Sequence, residues 1–500
     1  MRVMLINSNR FKQPWPVIPF GLCCIAAALE NAGHTIQVLD LCFSSNPASD
    51  IRSTIKDFQP DAVGISIRNI DNAIENKTIF LLDRIREEVI IPCQKAFTGP
   101  IIIGGAAVGI SGAQMLHFFN LKYAIGGDGE TAMVECIERL EKKLPLDGLR
   151  GLIRREGGKI IEENPPLRVQ DLDGLPSVKF HRYVDLHRYH QFDSPIQIQT
   201  KRGCALQCTY CTYNRLEGRE YRFRTPHVVA DEIERLVSET GINHIEFVDS
   251  TFNIPLDHTK AVLRSLEAKG LDIRCTAMGL NPGAVDEELV DLMKRVGFQE
   301  VDLGVESGSS LTLQSLKKGF TKEDVVRAGR LLREKNISIA WCLLVGAPGE
   351  TKDTLKETFD TIRQAASQWD IVAFNVGIRA YNGSPIAEDM KQEDPACTHD
   401  SFLQPVYYSP QSLDLNTIRI LTKRAFFRNT NFMLAEDYNH YPAVVIKAVN
   451  AILKLIAPNQ PIWRMYILER KLLKCLGLNA ISSFLFDLKH RKVLLKLKVQ

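Results

Sequence analysis

The stretch TKRGCALQCTYCTYN, residues 200–214, sets Cys204, Cys208 and Cys211 at steps of four and three residues, with Tyr210 just before the third. Thiolates this close together hold zinc or an iron–sulfur cluster. A structural zinc site takes four ligands, usually as two separated pairs, and the chain has no second CxxC pair. Three thiolates on one loop suit a [4Fe-4S] cluster whose fourth iron stays open. The residues leading into the loop, PIQIQT (195–200), predict a strand.

Downstream, five more strand signals alternate with helical patterns: HIEFVDSTFN (244–253), DIRCTAMGL (272–280), EVDLGVESGS (300–309), ISIAWCLLVGAPGET (337–351) and IVAFNVGIRAYNGSP (371–385). Such alternation predicts parallel strands with helical crossovers. In α/β barrels the reactive centre lies at the carboxyl ends of the strands. Those ends carry Asp249 and Asn253, Glu306 and Ser307, Gly346 with Pro348 and Gly349, and Arg379. Each acid or arginine suits a helix cap or ion pair as well as a reactive centre, and the glycines also suit turns. Arg222 and Arg224 precede a helical pattern, where they serve either as surface charges or as anion ligands.

Upstream, RVMLIN, TIQVL, AVGISI and PIIIG are short Val- and Ile-rich runs, and the helical pattern FGLCCIAAALENAGH stops at Gly33. They predict a second parallel sheet, with ligands beyond its carboxyl ends. There lie Ser66 and Arg68, Gly104 and Gly105, and the GGDGE stretch with Gly127 and Glu130. These glycines serve either as tight turns or as points of close backbone approach to a flat or phosphorylated ligand.

Two resemblances follow. The CxxxCxxC loop after a strand resembles the signature of the radical S-adenosylmethionine (radical SAM) superfamily. This resemblance implies a partial (β/α)6 barrel and a [4Fe-4S] cluster on Cys204, Cys208 and Cys211, with S-adenosylmethionine on its open iron. It further implies contacts to that molecule from Tyr210, Glu306, Ser307, Gly346 and Arg379, with Asp249 and Asn253 on the substrate side. The N-terminal sheet resembles the cobalamin-binding domain, whose pattern is DxHxxG, then SxL, then GG. Ser66-Ile67-Arg68 and Gly104-Gly105 match the second and third elements, apart from Arg68. The first is missing, because NSNRFKQPWPVIPFG has no histidine. The resemblance therefore implies cobalamin without a lower imidazole ligand, and Arg68 either faces that side of the corrin or makes a plain ion pair.

Together they are similar to the cobalamin-dependent radical SAM enzymes. What that implies is methyl transfer from methylcobalamin to an unactivated carbon after hydrogen abstraction by a 5′-deoxyadenosyl radical. A radical cyclase or rearrangement enzyme without methyl transfer and a non-catalytic cobalamin-binding sensor are the alternatives. The expected fold class is α/β: a Rossmann-like cobalamin-binding domain at 1–145, a hairpin and linker at 146–195, a partial (β/α)6 barrel at 196–390 and a mainly helical region at 391–500. The expected partners are a small-molecule, peptide or lipid substrate and a one-electron reductant such as flavodoxin or ferredoxin.

Net charge of +3 with 24% charged residues gives no case for nucleic acid. The short apolar run at the N-terminus is no secretory leader, and no stretch approaches the roughly 18 apolar residues of a spanning helix, so a cytoplasmic protein is expected. The last 50 residues hold ten Lys or Arg against two acids. Such a basic amphipathic end forms either a solvated helical cap or a contact with an anionic membrane surface.

Overall fold

The computed structural model describes residues 1–12, 15–394, 396–398, 400–440, 461, 463–491 and 493–494. The upstream apolar runs form β1 (Arg2–Asn7), β2 (Thr35–Asp40), β3 (Ala62–Ser66), β4 (Ile101–Gly104) and β5 (Tyr123–Ile125). They pair in parallel in the order β2-β1-β3-β4-β5. Helices α1 (Phe20–Asn31), α2 (Pro47–Phe58), α3 (Ala106–Phe119) and α4 (Gly129–Glu141) cover the two faces. Met4, Ile6, Val63 and Ile65 pack with Ile51 and Met115 on one side, while Val3 and Leu5 pack with Leu22, Met133 and Ile137 on the other. Burial on both faces is why β1, β3 and β4 read as unbroken apolar runs rather than alternations. The order reverses between β1 and β3, which opens a crevice at their carboxyl ends.

Residues 146–195 contain the expected hairpin. β6 (Leu152–Glu156) and β7 (Lys159–Glu163) form a hairpin that joins the sheet antiparallel at the β5 edge. Phe180, Leu186 and Tyr189 then bury themselves in the core of the second domain.

In that domain β8 (Ile196–Ile198) leads to β9 (Lys201–Arg202), the cysteine loop with its short helix α5 (Tyr213–Leu216), and β10 (Arg222–Phe223). β9 and β10 pair antiparallel and clasp the base of the loop. The chain continues as α6 (Pro226–Thr240), β11 (His244–Phe247), α7 (Leu256–Lys269), β12 (Arg274–Ala277), α8 (Glu287–Val296), β13 (Glu300–Glu306), α9 (Lys322–Glu334), β14 (Ser338–Val345), α10 (Lys352–Ala365) and β15 (Ile371–Val376). β8-β11-β12 and β13-β14-β15 are parallel sheets, joined by parallel bridges from Cys275 to Phe298 and from Leu280 to Leu303. These are the six expected barrel strands. Side chains of Asp286, Thr321 and Thr351 accept backbone N–H groups that would otherwise lack partners at the starts of α8, α9 and α10.

The described residues after 391 are mainly helical, as expected, with two short strands among them. β16 (Ile378–Arg379) pairs with β17 (Tyr407–Tyr408), and α11 (Leu415–Arg428) returns the chain to β18 (Phe432–Leu434), a seventh parallel strand beside β15. Three residues are too few for a periodic signal, so β18 exists by virtue of the edge it pairs with. Helices α12 (Trp463–Cys475) and α13 (Leu478–Lys489) follow. The helical spacing of apolar residues in AVVIKAVNAILKLIA (443–457) falls outside the described residues.

Buried polar contacts lock the domains together. Arg379 pairs with Asp71 at 2.8 Å, Arg419 bridges Glu75 and Glu436, Arg222 pairs with Asp128, and Tyr189 donates to Asp40 at 2.8 Å. Asn375 Nδ2 donates to the Ala73 carbonyl at 2.9 Å.

Candidate functional site

The cysteine loop is shaped by its backbone. Gly203 has φ +102°, and a Cβ there would lie 2.0 Å from the Glu220 carbonyl oxygen, so only glycine lets the strands of the clasp approach. The Cys204 N–H donates to Gly218 O at 2.9 Å, the Thr209 N–H to Leu316 O at 3.1 Å, and the Tyr213 N–H to Cys211 Sγ at 3.5 Å. Cys204 and Cys208 are buried and Cys211 half-buried. Burial pushes the Cys208 thiol up, and the Cys211 thiol to about 11, with the neighbouring thiols adding to the rise and Lys318 opposing it. The dehydrated Cys208 and Cys211 sulfurs ionise more readily when a cation compensates them, which suits them as metal ligands. Among the described residues no three His, Cys, Asp or Glu side chains converge as a single-ion site. In a cubane cluster each thiolate holds a different iron, so this set fits a cluster rather than one ion.

Beside the sulfurs lies a coupled triad. Tyr210 OH donates to Glu306 Oε1 at 2.5 Å, Lys318 Nζ donates to Tyr210 OH at 3.1 Å, and Lys318 pairs with Glu306 Oε2 at 2.9 Å. Burial alone would lower the Lys318 pKa, yet Glu306 and the thiols hold it above its ordinary value. Glu306 sits at φ +58°, where the β13–β14 register slips after Gly304. A non-glycine residue held in that region is characteristic of functional sites. Sequence reading identified Tyr210 and Glu306 but missed Lys318, whose setting, LKKGF, carries no signal.

The barrel interior below this triad is polar. On β13, Val301, Leu303 and Val305 pack into the core, leaving Glu300, Asp302, Gly304 and Glu306 on the inner face. Glu246 accepts from Gln197 Nε2 at 3.3 Å. Burial pushes Glu246 up to about 7 and Asp302 to about 6.

Across from the barrel, the N-terminal sheet contributes Arg68, which is exposed, from beyond β3. Its charge acts on Glu246 inside the barrel and on Tyr213 beyond the third cysteine. With Ser8, Asn9 and Glu88 it lines a cavity of about 40 Å³. Ser66 ends β3, and its carbonyl accepts from Ser8 Oγ at 2.6 Å. Gly105 has φ +101°, and a Cβ there would lie 2.6 Å from Ile67 O, so the GG turn presses onto the strand beside it. At Gly104 a Cβ would meet only Ile125 O, at 3.6 Å, leaving its other side open as a cradle. Gly109, one turn into α3, lies so close to Leu216 of α5 that a Cβ would come within 2.6 Å of that side chain. The helix that follows the glycine turn and the short helix of the cysteine loop are therefore direct neighbours.

Several expected residues have other duties. Asp249 does not face the cavity: its fully buried carboxylate accepts from Thr200 N and Oγ1 and from Lys201 N and Nζ, at 2.6–3.2 Å, and holds the β8 end in place. Arg379, expected beside a cofactor, is spent on Asp71 and on the carbonyls of Ala380 and Phe402. Glu130 pairs with Arg202 at 2.5 Å across the domain boundary, and Gly127 abuts Pro166 and Leu167 instead of opening onto a ligand. Ser307 Oγ bonds Thr358 Oγ1 at 2.8 Å, and the Gly346 N–H donates to Glu350 at 2.9 Å, both within the frame under the site. Asn253 braces the Asn281 backbone, and Arg222 and Arg224 are paired with Asp128 and Glu232. A strand-end position marks these residues in sequence, but only their partners distinguish frame from site.

Residues 198–362 match the radical SAM superfamily model, and residues 12–137 match the B12 binding domain model. The chain is 23% identical to an uncharacterized methyltransferase, PH0819, of Pyrococcus horikoshii, over 87% of this chain and 94% of that one. It is 26% identical to the cytidylyl-2-hydroxyethylphosphonate methyltransferase of Streptomyces wedmorensis, over 73% and 77%. Among solved structures it resembles the radical S-adenosylmethionine methyltransferase TsrM of Kitasatospora setae with cobalamin and a [4Fe-4S] cluster bound, at a TM-score of 0.71 and 26% identity over 78% of each chain.

Proposed function

We propose that this chain, which belongs to the radical SAM enzymes carrying a B12-binding domain, transfers a methyl group to an unactivated carbon of a small molecule. One observation carries the reading: the helix that follows the glycine turn of the first domain touches the helix of the cysteine loop, at Gly109 and Leu216, which sets the two candidate cradles side by side. The methyltransferase relatives support the choice of reaction.

In this reading Cys204, Cys208 and Cys211 hold a [4Fe-4S] cluster with S-adenosylmethionine, and Ser66, Arg68, Gly104 and Gly105 border cobalamin. When bound, the cluster and S-adenosylmethionine supply hydrogen-atom abstraction, and cobalamin supplies the transferable methyl group. The chain's own residues supply positioning and electrostatics. Lys318 offsets the negative charge gathered by the thiolates and Glu306. Tyr210, tied to both, holds the third cysteine's neighbourhood in place. Glu246 and Asp302 offer hydrogen-bonding groups to a substrate entering the barrel, and Arg68 keeps a cation at the domain boundary. Reducing equivalents come from a one-electron carrier protein of the flavodoxin or ferredoxin type.

The test is product analysis of anaerobically reconstituted protein supplied with S-adenosylmethionine, a reductant and candidate small molecules. Formation of 5′-deoxyadenosine together with S-adenosylhomocysteine is the expected result. The first product alone would replace methyl transfer with a cyclisation or rearrangement, and neither product from cluster-replete protein would refute catalysis.

A further inference from the structure

The α12–α13 hairpin has one face packed and one face bare. Ile467 is fully buried, and Arg470 lies 3.4 Å over the Phe426 ring while donating to the Phe426 and Phe432 carbonyls. α13 leans on α11 through the Arg424–Asp487 pair at 3.0 Å and the Phe427 and Phe486 rings, 5.6 Å apart. Away from these contacts, Leu472, Leu476, Ile481, Phe484, Leu485 and Leu488 are 57–67% exposed and recur mainly at three- and four-residue steps. Eight of the fifteen exposed large apolar side chains among the described residues lie on this hairpin. Scattered exposed leucines need no explanation, but a concentrated stripe of this size marks a contact surface.

Charge identifies the occupant. From Trp463 to Arg491 there are six Lys or Arg and two acids, and one of the acids, Asp487, is already paired with Arg424. Lys474, Lys489 and Arg491 are exposed. A second copy of the chain would cover the stripe only by opposing the same excess of positive charge. An anionic bilayer satisfies both features, since leucine and phenylalanine enter the acyl boundary while lysine and arginine reach up to the phosphates. Among the described residues no helix is long and apolar enough to cross a membrane, so the fitting arrangement lies in the interface plane. We infer that the α12–α13 hairpin seats this protein on the surface of an anionic lipid bilayer.

The full-length protein is to be sedimented with phosphatidylcholine vesicles, with and without phosphatidylglycerol. Binding is expected only with the anionic lipid and should weaken as salt rises. Leu472→Gln with Leu485→Gln should lower the bound fraction about tenfold or more, and Lys489→Glu with Arg491→Glu by a similar factor. All four positions are on the surface, so the melting temperature should not move. The inference is overturned by failure to sediment with anionic vesicles, by binding that the leucine substitutions leave intact, or by a dimer in sedimentation velocity that those substitutions abolish.

Discussion

Arg379 and Asp71 join the two domains through a fully desolvated contact, and breaking it should loosen the boundary between them. The side chains are 3% and 0% exposed. Arg379 Nε donates to Asp71 Oδ2 at 2.8 Å while its remaining nitrogens serve the Ala380 and Phe402 carbonyls. Asp71 Oδ1 also accepts the Ala73 N–H at 2.8 Å. Arg379→Met leaves a buried carboxylate without its cation, a change that costs about 3–5 kcal/mol. Asp71→Asn keeps the acceptor for Ala73 but strands the guanidinium, at a similar or smaller cost. The double variant removes both charges and should recover much of the loss, giving a coupling energy of about 2 kcal/mol or more. Global unfolding of a two-domain chain need not be two-state, so native-state hydrogen exchange is the suitable assay. A loss of about 3 kcal/mol in local opening predicts exchange roughly a hundredfold faster across residues 67–80 and 378–381 in each single variant. Exchange within a fewfold of the parent in both single variants, or strictly additive effects in the double, would refute the claim that this pair holds the domains together.

Three further predictions concern the site. Cys208→Ala should abolish iron–sulfide absorbance in anaerobically reconstituted protein while leaving cobalamin bound; loss of both would argue against separate cradles. Lys318→Met removes the cation paired with Glu306 and should cost about 3 kcal/mol or more of stability. It should also shift the cluster's midpoint potential to more negative values in a spectroscopic redox titration, and an unchanged potential would mean that its charge does not reach the cluster. Glu246 has its carboxyl pushed from 4.5 to about 7 by burial. Between those values the folded chain keeps a proton that the unfolded chain has released, so stability falls as pH rises through the window and the cost is complete above it. Glu246→Gln should therefore be more stable than the parent at pH 8, by on the order of 2–3 kcal/mol, and equal to it below pH 4.5; equal denaturation midpoints at pH 8 would contradict this.

Strand signals, their alternation with helices and the cysteine spacing were legible because each rests on neighbours within a few residues. RVMLIN, PIQIQT and EVDLGVESGS carry their burial in their own composition, and a loop of three cysteines states its chemistry by type and spacing. By itself the sequence determined two successive runs of parallel strands, the three thiols and the glycine turn. It did not determine what each strand-end residue does. Asp249, Glu130 and Arg379 look the same in sequence as Glu306, and their partners, Lys201, Arg202 and Asp71, divide them into frame and site. Lys318 joined the site, the hairpin over 152–163 joined the sheet, and β18 joined the barrel only through tertiary contact. An ion pair, a strand edge and an apolar contact all depend on distance in space, and residues 71 and 379 become neighbours only once two domains have folded and met.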